Sequence, residues 1–189
     1  MGCFLMRLFI ALDISNRSRE LITRKVNILK KHLNQGLKWV KKENWHITMK
    51  FLGDCTTQKK GEIIESLEKL DLKEEQKYIQ LNEIDAFPNL NEANVLYLDV
   101  KRGNNYLKNL NQVLEVEMLK LGFEKNRYEF TPHLTLARNK DNAEVDLNSN
   151  FLKRNFINIY SKVDKITLYE SKLDKDGPEY FELFTKKLK

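Results

Sequence analysis

The chain has 189 residues, of which 41% are hydrophobic and 32% are charged, an ordinary composition for one globular domain with an apolar core. The formal net charge of +6 suits an anionic partner such as RNA, although the lysines are spread along the chain. The 7 glycines and 3 prolines argue against long linkers, the two cysteines stand in no metal-ligand spacing, and residues 4–14 are too short and too charged to span a membrane. A soluble, cytoplasmic protein is expected.

The patterns in the first half of the chain predict three strands and two helices. Residues 7–13 are rich in strand formers and predict a strand that is buried on both faces. Apolar residues at 22, 26, 29 and 33 mark one face of an amphipathic helix, which Gly36 ends. Residues 37–40 and 46–52 are interpreted as a strand pair that closes at residues 53–54, and a second helix is predicted over 57–70.

The second half predicts strands over 78–87 and 95–101 around a turn at 88–91, and a helix over 104–121. Further strands are predicted over 132–138, as one long strand over 157–170, and over 180–185 after a turn at 177–178, whereas 141–150 is the most loop-like segment. Strands alternate with helices, but hairpin signals occur as well. The sequence therefore predicts an α+β fold of mainly antiparallel sheets.

One pattern occurs twice and carries the chemistry. The segments His-Ile-Thr-Met, at residues 46–49, and His-Leu-Thr-Leu, at residues 133–136, each combine a histidine and a threonine with two apolar residues. Side chains alternate across a strand, so His46 and Thr48 share one face, and His133 and Thr135 share another, while the apolar residues enter the core. The chain contains 3 histidines, and the third, His32, lies near a helix end without such a context.

Two imidazoles are suited to acid–base catalysis, because each titrates near neutral pH. A neutral histidine takes a proton from water, and a charged histidine gives a proton to a leaving alkoxide. A threonine hydroxyl two residues further on can donate to a phosphoryl oxygen and stabilise the developing negative charge. A zinc site is a poor alternative, since two histidines without a carboxylate at ligand spacing leave the metal short of ligands.

The chain resembles the two-histidine (2H) phosphoesterase superfamily, specifically the RNA 2′,3′-cyclic phosphodiesterases once named 2′-5′ RNA ligases. The resemblance covers nearly the whole chain, and its most specific piece is FTPHLTLAR at residues 130–138. The other matching pieces are RLFIALD at 7–13, KWVKKENWHITMKFLG at 38–53, AFPN at 86–89, LGFE at 121–124, YESKL at 169–173 and GPEY at 177–180.

This resemblance implies a single domain over residues 1–189, with two lobes related by pseudo-twofold symmetry, helices packed outside and a central cleft. It implies that His46 is the proton donor and His133 the proton acceptor, and that Thr48 and Thr135 hold the phosphate, with Arg138 nearby. The implied reaction opens a 2′,3′-cyclic phosphate on an RNA end, tRNA fragments included, to leave a 2′-phosphate. No metal or other cofactor is implied, a monomer is expected, and some members join RNA ends through a 2′-5′ bond.

Three side chains near the motifs have open assignments. Strict alternation points Arg138 away from His133, so it reaches the cleft only if the strand ends or twists there, and otherwise it is a surface arginine. The same parity places Phe51 in the core and Lys50 on the His46 face, where it would attract RNA or remain an unspecific surface charge. Two other functions also stay open: hydrolysis of another cyclic or 2′-5′ linked nucleotide, and a catalytically idle RNA-binding module.

Overall fold

The computed structural model describes residues 5–33, 36–73, 77–140, 157–175 and 177–189. In these residues three helices and nine strands form an α+β fold with two antiparallel sheets, which confirms the predicted fold class. The helices are α1 (Asn16–His32), α2 (Thr57–Lys69) and α3 (Asn104–Lys120). The strands are β1 (Met6–Asp13), β2 (Leu37–Trp39), β3 (His46–Cys55), β4 (Tyr78–Phe87), β5 (Val95–Arg102), β6 (His133–Asn139), β7 (Ile159–Lys162), β8 (Lys165–Asp174) and β9 (Gly177–Lys187).

The two histidine–threonine motifs lie in different sheets. The first sheet has the strand order β3-β1-β8-β9, and the second has the order β2-β6-β5-β4-β7. β3 therefore carries the first motif beside β1, and β6 carries the second motif beside β5. The order β3-β1-β8-β9 corresponds to β6-β5-β4-β7, with β2 added outside β6, and this correspondence is the pseudo-twofold relation that the family resemblance implied.

The helices connect the two sheets into one core. α1 follows β1 in the chain but packs beside β7 of the second sheet, where the Ser18 hydroxyl donates to the Tyr160 carbonyl at 3.1 Å. α3 follows β5 but contacts β3 of the first sheet, where the Asn111 amide donates to the Met49 carbonyl at 2.7 Å. Buried apolar residues from both sheets and all three helices form one continuous cluster. Among the described residues, no helix is long and apolar enough to cross a membrane.

Two predicted strand assignments are wrong. Residues 37–40 and 46–52 do not pair with each other: β2 pairs with β6, and β3 pairs with β1, because a 3-10 turn at Lys42–Asn44 carries the chain from one sheet to the other. The long strand over 157–170 is two strands, β7 in the second sheet and β8 in the first. The sheet changes at Val163 and Asp164, where Val163 donates to the Lys77 carbonyl and Asp164 accepts from Leu188.

Two smaller differences concern element ends. Residues 53–54 do not close a unit, because β3 continues through them to Cys55. The last strand begins at Gly177, earlier than predicted, and pairs along its length with β8. The predicted loop at 141–150 lies outside the described residues.

Candidate active site

Each motif strand contains a β-bulge at the same distance from its histidine. In the pairing of β1 with β3, Ala11 lies opposite Thr48 and Ile10 lies opposite Lys50, so one residue of β3 is left without a partner. In the pairing of β5 with β6, the register skips one residue in the same way, three positions after the histidine. A bulge of this kind inverts the alternation of side chains beyond it.

The first bulge exchanges the predicted positions of Lys50 and Phe51. Met49 and Lys50 are both buried, with exposed fractions of 1% and 2%, whereas Phe51 is 67% exposed on the His46 face. The predictions that Phe51 enters the core and that Lys50 shares the His46 face are therefore wrong. The physical reason is the extra residue in the strand, which no local pattern of apolar residues reveals.

The second bulge brings Arg138 onto the face of His133 and Thr135. Leu136 and Ala137 are both fully buried, and Arg138 is exposed at the mouth of the cleft. Strict alternation would have turned this guanidinium away. The inverted alternation places Arg138 at the position in β6 that Phe51 occupies in β3.

Both catalytic candidates are oriented by the backbone two residues earlier. Nδ1 of His46 lies 2.8 Å from the Asn44 carbonyl, and Nδ1 of His133 lies 2.7 Å from the Thr131 carbonyl. A carbonyl oxygen only accepts hydrogen bonds, so Nδ1 carries the proton in each ring and Nε2 is the nitrogen left for chemistry. Nε2 of His46 is 2.9 Å from the Thr48 hydroxyl, which donates to it when the ring is neutral.

Aromatic rings surround each imidazole and remove it from water. The ring of His46 lies 5.0 Å from Phe9 and 5.3 Å from Tyr180, between ring centroids. The ring of His133 lies 5.0 Å from Phe87 and 5.2 Å from that of Tyr97. The two sites thus have similar apolar walls built from different strands, which disfavours the charged form of either imidazole.

Burial accordingly lowers the pKa of His46 to about 4, although the Asn44 carbonyl and the Asp13 carboxylate act in the opposite direction. Burial also lowers the pKa of His133; the Thr131 carbonyl opposes this shift, and the Arg138 guanidinium adds to it. Both histidines are therefore neutral at pH 7 in the unliganded protein.

An aspartate lies opposite each histidine on the neighbouring strand. Asp13 pairs with His46, and Asp99 pairs with His133. The Asp13 carboxylate accepts hydrogen bonds from Tyr169 at 2.6 Å and from Thr167 at 2.9 Å. Sequence reasoning missed both aspartates, since only the strand register brings them beside the motifs. Asp13 is the last residue of β1, whereas Asp99 lies within β5, so no shared sequence position marks the two.

A cleft of about 320 Å³ brings most of the predicted site residues together. The cleft is lined by His46, Thr48, Thr135 and Arg138. His133 lies beside these residues, close enough for its charge to act on His46. Of the residues that the structure describes, the cations lining the cleft are Arg7, Lys38, Lys41 and Arg138, and no carboxylate is among the lining residues. The cleft is thus electrostatically suited to an anion.

Two further observations delimit the site. Within the described parts of the chain, no group of three or more His, Cys, Asp and Glu side chains is placed to hold a metal ion. His32, the third histidine, lies at the end of α1 with Nδ1 3.0 Å from the Ile28 carbonyl, and it takes no part in the cleft.

Known proteins are similar to this chain in sequence and in fold. The family model described as LigT like Phosphoesterase matches residues 12–97 and 98–180, so that each matched segment contains one histidine–threonine motif. A protein of Methanocaldococcus jannaschii named RNA 2′,3′-cyclic phosphodiesterase is 37% identical over 182 residues, which cover 93% of this chain and 96% of that protein. A protein of the same name from Archaeoglobus fulgidus is 34% identical, covering 94% of this chain and 98% of its own length.

Solved structures show the same fold at lower identity. The crystal structure of E. coli LigT with 3′-AMP has a TM-score of 0.76 at 21% identity and covers 98% of this chain and 99% of that one. A crystal structure from Thermus thermophilus has a TM-score of 0.78 at 22% identity, with coverages of 97% and 98%. The family model and the relatives that match nearly end to end agree, and the chain belongs to the LigT-like phosphoesterase family.

Proposed function

We propose that the protein hydrolyses 2′,3′-cyclic phosphate ends of RNA to 2′-phosphate ends, with His46 and His133 as a metal-free acid–base pair. The observation that carries this proposal is the meeting of two histidine–threonine strands at one cationic cleft, each histidine oriented through Nδ1 by a backbone carbonyl. The relatives named RNA 2′,3′-cyclic phosphodiesterase support the reaction class, and the histidine positions support its mechanism.

In the proposed reaction, water attacks the phosphorus of the cyclic phosphate and the bond from phosphorus to the 3′ oxygen breaks. Nε2 of His133 removes a proton from the water, and the Nε2 proton of His46 passes to the departing 3′ oxygen. The hydroxyls of Thr48 and Thr135 and the guanidinium of Arg138 donate to the phosphoryl oxygens, where negative charge accumulates. The product carries a 2′-phosphate and a 3′-hydroxyl. In ligation an RNA 5′-hydroxyl replaces water as the nucleophile: its oxygen forms the bond to phosphorus, the bond from phosphorus to the 3′ oxygen breaks, and a 2′-5′ linkage results. Cleavage of that linkage, with attack by the 3′-hydroxyl and release of the 5′-hydroxyl, is the reverse of this step.

The acid must gain its proton when the substrate binds. Burial lowers the pKa of His46, and a phosphodiester anion beside the ring favours the charged imidazole. Asp13 favours the charged form of His46, against burial and the Arg19 guanidinium, whereas Arg138 favours the neutral form of His133. These opposite influences support His46 as the acid and His133 as the base, the assignment that the family resemblance implies.

An RNA end fits the cleft better than a free cyclic nucleotide does. The cyclic phosphate needs only the motif residues and Arg138, which leaves Arg7, Lys38 and Lys41 for phosphates further along a strand. The exposed ring of Phe51 offers a surface on which a base can stack. We accordingly infer one domain over residues 1–189 with RNA ends, tRNA fragments included, as substrates; monomeric state and cytoplasmic location stay predictions.

The reaction is tested by incubating the purified protein, in EDTA, with a short RNA that ends in a 2′,3′-cyclic phosphate. We expect a product heavier by one water whose phosphate a phosphatase then removes, and analysis of the terminal nucleotide should identify the 2′ position. His46→Gln and His133→Gln should each lower the rate by roughly 10²–10⁴-fold, and His32→Gln is the matched control that should not. An unchanged RNA end that nevertheless binds the folded protein would identify a binding module instead.

The substrate class is tested by salt dependence. The logarithm of kcat/KM should fall more steeply with the logarithm of salt concentration for a trinucleotide with a cyclic end than for a nucleoside 2′,3′-cyclic phosphate. The double variant Lys38→Met/Lys41→Met should reduce the slope for the trinucleotide by about 0.7 for each lost phosphate contact, whereas Lys101→Met, outside the cleft, should leave it unchanged. Equal slopes for both substrates would favour a small cyclic nucleotide.

A further inference from the structure

Lys50 is a buried lysine that the proposed chemistry does not use. The bulge in β3 turns its side chain away from the cleft, and the residue is 2% exposed. Its ammonium group lies 2.7 Å from Oε2 of Glu115, 2.7 Å from the carbonyl oxygen of Glu124 and 3.4 Å from Oδ1 of Asn126. The three N–H donors of the lysine thus have three acceptors.

The bulge by itself does not require a lysine. Ala137 occupies the equivalent position in β6, directly after that strand's extra residue, and it is fully buried. Removing an ammonium group from water is costly, and an apolar side chain of similar length would fill the space in β3 at lower cost. The contacts of Lys50, rather than the bulge, therefore explain the residue.

Those contacts join one half of the molecule to the connection that orients the second histidine. Glu124 and Asn126 belong to the segment between α3 and β6, and this segment also contains Thr131, whose carbonyl accepts from Nδ1 of His133. Lys50 itself stands four residues after His46 in the same strand. Lys50 thus anchors, at Glu124 and Asn126, the same segment whose Thr131 carbonyl holds the second histidine.

α3 also takes part in this connection. Glu115 accepts from Lys50, and Asn111, one turn earlier on the same helix face, donates to the Met49 carbonyl at 2.7 Å. The two side chains hold consecutive residues of the bulge. The bulge, α3 and the segment before β6 are therefore fixed to one another around the ammonium group of Lys50.

We propose that Lys50 is a positioning residue, which fixes the 121–132 segment to β3 and so holds His133 in register with His46. The proposal rests on the proposed function, because it gives Lys50 a role in a two-histidine reaction. A misplacement of about 1 Å between reacting groups can lower a rate by about 10²-fold, so removal of this tether should reduce kcat by between about 10-fold and 100-fold.

The experiment separates positioning from simple stabilisation with two variants. Lys50→Met removes the tether and leaves Glu115 buried without its cation. Lys50→Met/Glu115→Leu replaces the whole ion pair by apolar side chains, which commonly restores stability. Lys108→Met is the matched control, since it breaks an exposed ion pair, 2.6 Å long, between α3 and Glu129 of the same segment.

We expect the double variant to unfold at a urea concentration close to that of the wild type and still to have a kcat reduced by 10-fold to 100-fold, with KM changed less. Recovery of both stability and kcat in the double variant would overturn the proposal and make Lys50 a structural residue only. The control variant should retain the wild-type kcat.

Nuclear magnetic resonance supplies a readout that does not need activity. The chain has 3 histidines, so the imidazole nitrogen and carbon-bound proton signals of each can be assigned. In the double variant the signals of His133 should shift and its Nδ1 proton should exchange faster, while those of His46 stay near their wild-type positions. Unchanged His133 signals in the double variant would refute the positioning role. If the wild-type protein is inactive but the double variant still shows these spectral changes, the proposed function alone is refuted.

Discussion

The burial of His46 predicts a specific loss of stability in acid. Burial lowers the pKa of His46 from 6.5 to about 4 in the folded protein, whereas the unfolded chain leaves the imidazole in water at its ordinary value. Between these two pH values the unfolded chain binds a proton that the folded protein does not bind. The contribution of the neutral His46 ring to the free energy of unfolding is therefore fully present above pH 6.5, and it is lost as the pH falls below that value.

The magnitude follows from the two pKa values. While the unfolded chain binds one proton more than the folded protein, each pH unit below the unfolded pKa lowers the free energy of unfolding by about 1.4 kcal/mol. At pH 5, about 1.5 units below the unfolded pKa, the loss is therefore about 2 kcal/mol. The loss levels off near pH 4, where the folded protein also takes up the proton. Removing the imidazole should remove this component of the pH dependence.

Urea unfolding of the wild type and His46→Gln, at a series of pH values between 8 and 5, measures this component. We expect the free energy of unfolding of the wild type to fall by about 2 kcal/mol more than that of the variant over this range. The comparison uses the difference between the two pH dependences, so any constant effect of the substitution on stability cancels. Parallel curves for the two proteins would refute the conclusion that His46 is neutral when folded.

Four further outcomes test other parts of the site. Binding of inorganic phosphate near pH 6 should take up a proton, seen as a dependence of the calorimetric enthalpy on buffer ionisation; no such dependence would contradict the rise in histidine pKa on anion binding. Thr135→Val should lower kcat by about 10²-fold through loss of a phosphoryl donor, and a wild-type kcat would remove that role. Arg138→Lys keeps the charge but loses the planar, two-pronged donor, so KM should rise; an unchanged KM would mean that only charge matters. Phe51→Ala should raise KM for a nucleoside cyclic phosphate but not for a cyclic phosphate without a base, and equal effects would exclude stacking.

Local patterns along the chain were enough to predict the fold class, most element positions and the two motifs. The reason is that helices and strands follow from the spacing of apolar residues, which is a local property of the chain. The pairing of His46 with Thr48, and of His133 with Thr135, on one face also depends on strand alternation over three residues only. The observed bulges begin just beyond the threonines, so this local prediction is confirmed by the strand geometry.

Strand pairing, by contrast, determines which residues beyond the threonines face the cleft. The bulges invert the alternation, so Phe51 and Arg138 line the cleft and Lys50 enters the interior, and a bulge depends on the partner strand rather than on the strand's own pattern. The sheet change at 163–164 and the placement of Asp13 opposite His46 likewise depend on which strands pair and in what register. Pairing between residues far apart in the chain leaves no local periodic signal, and for that reason these features became visible only in the folded molecule.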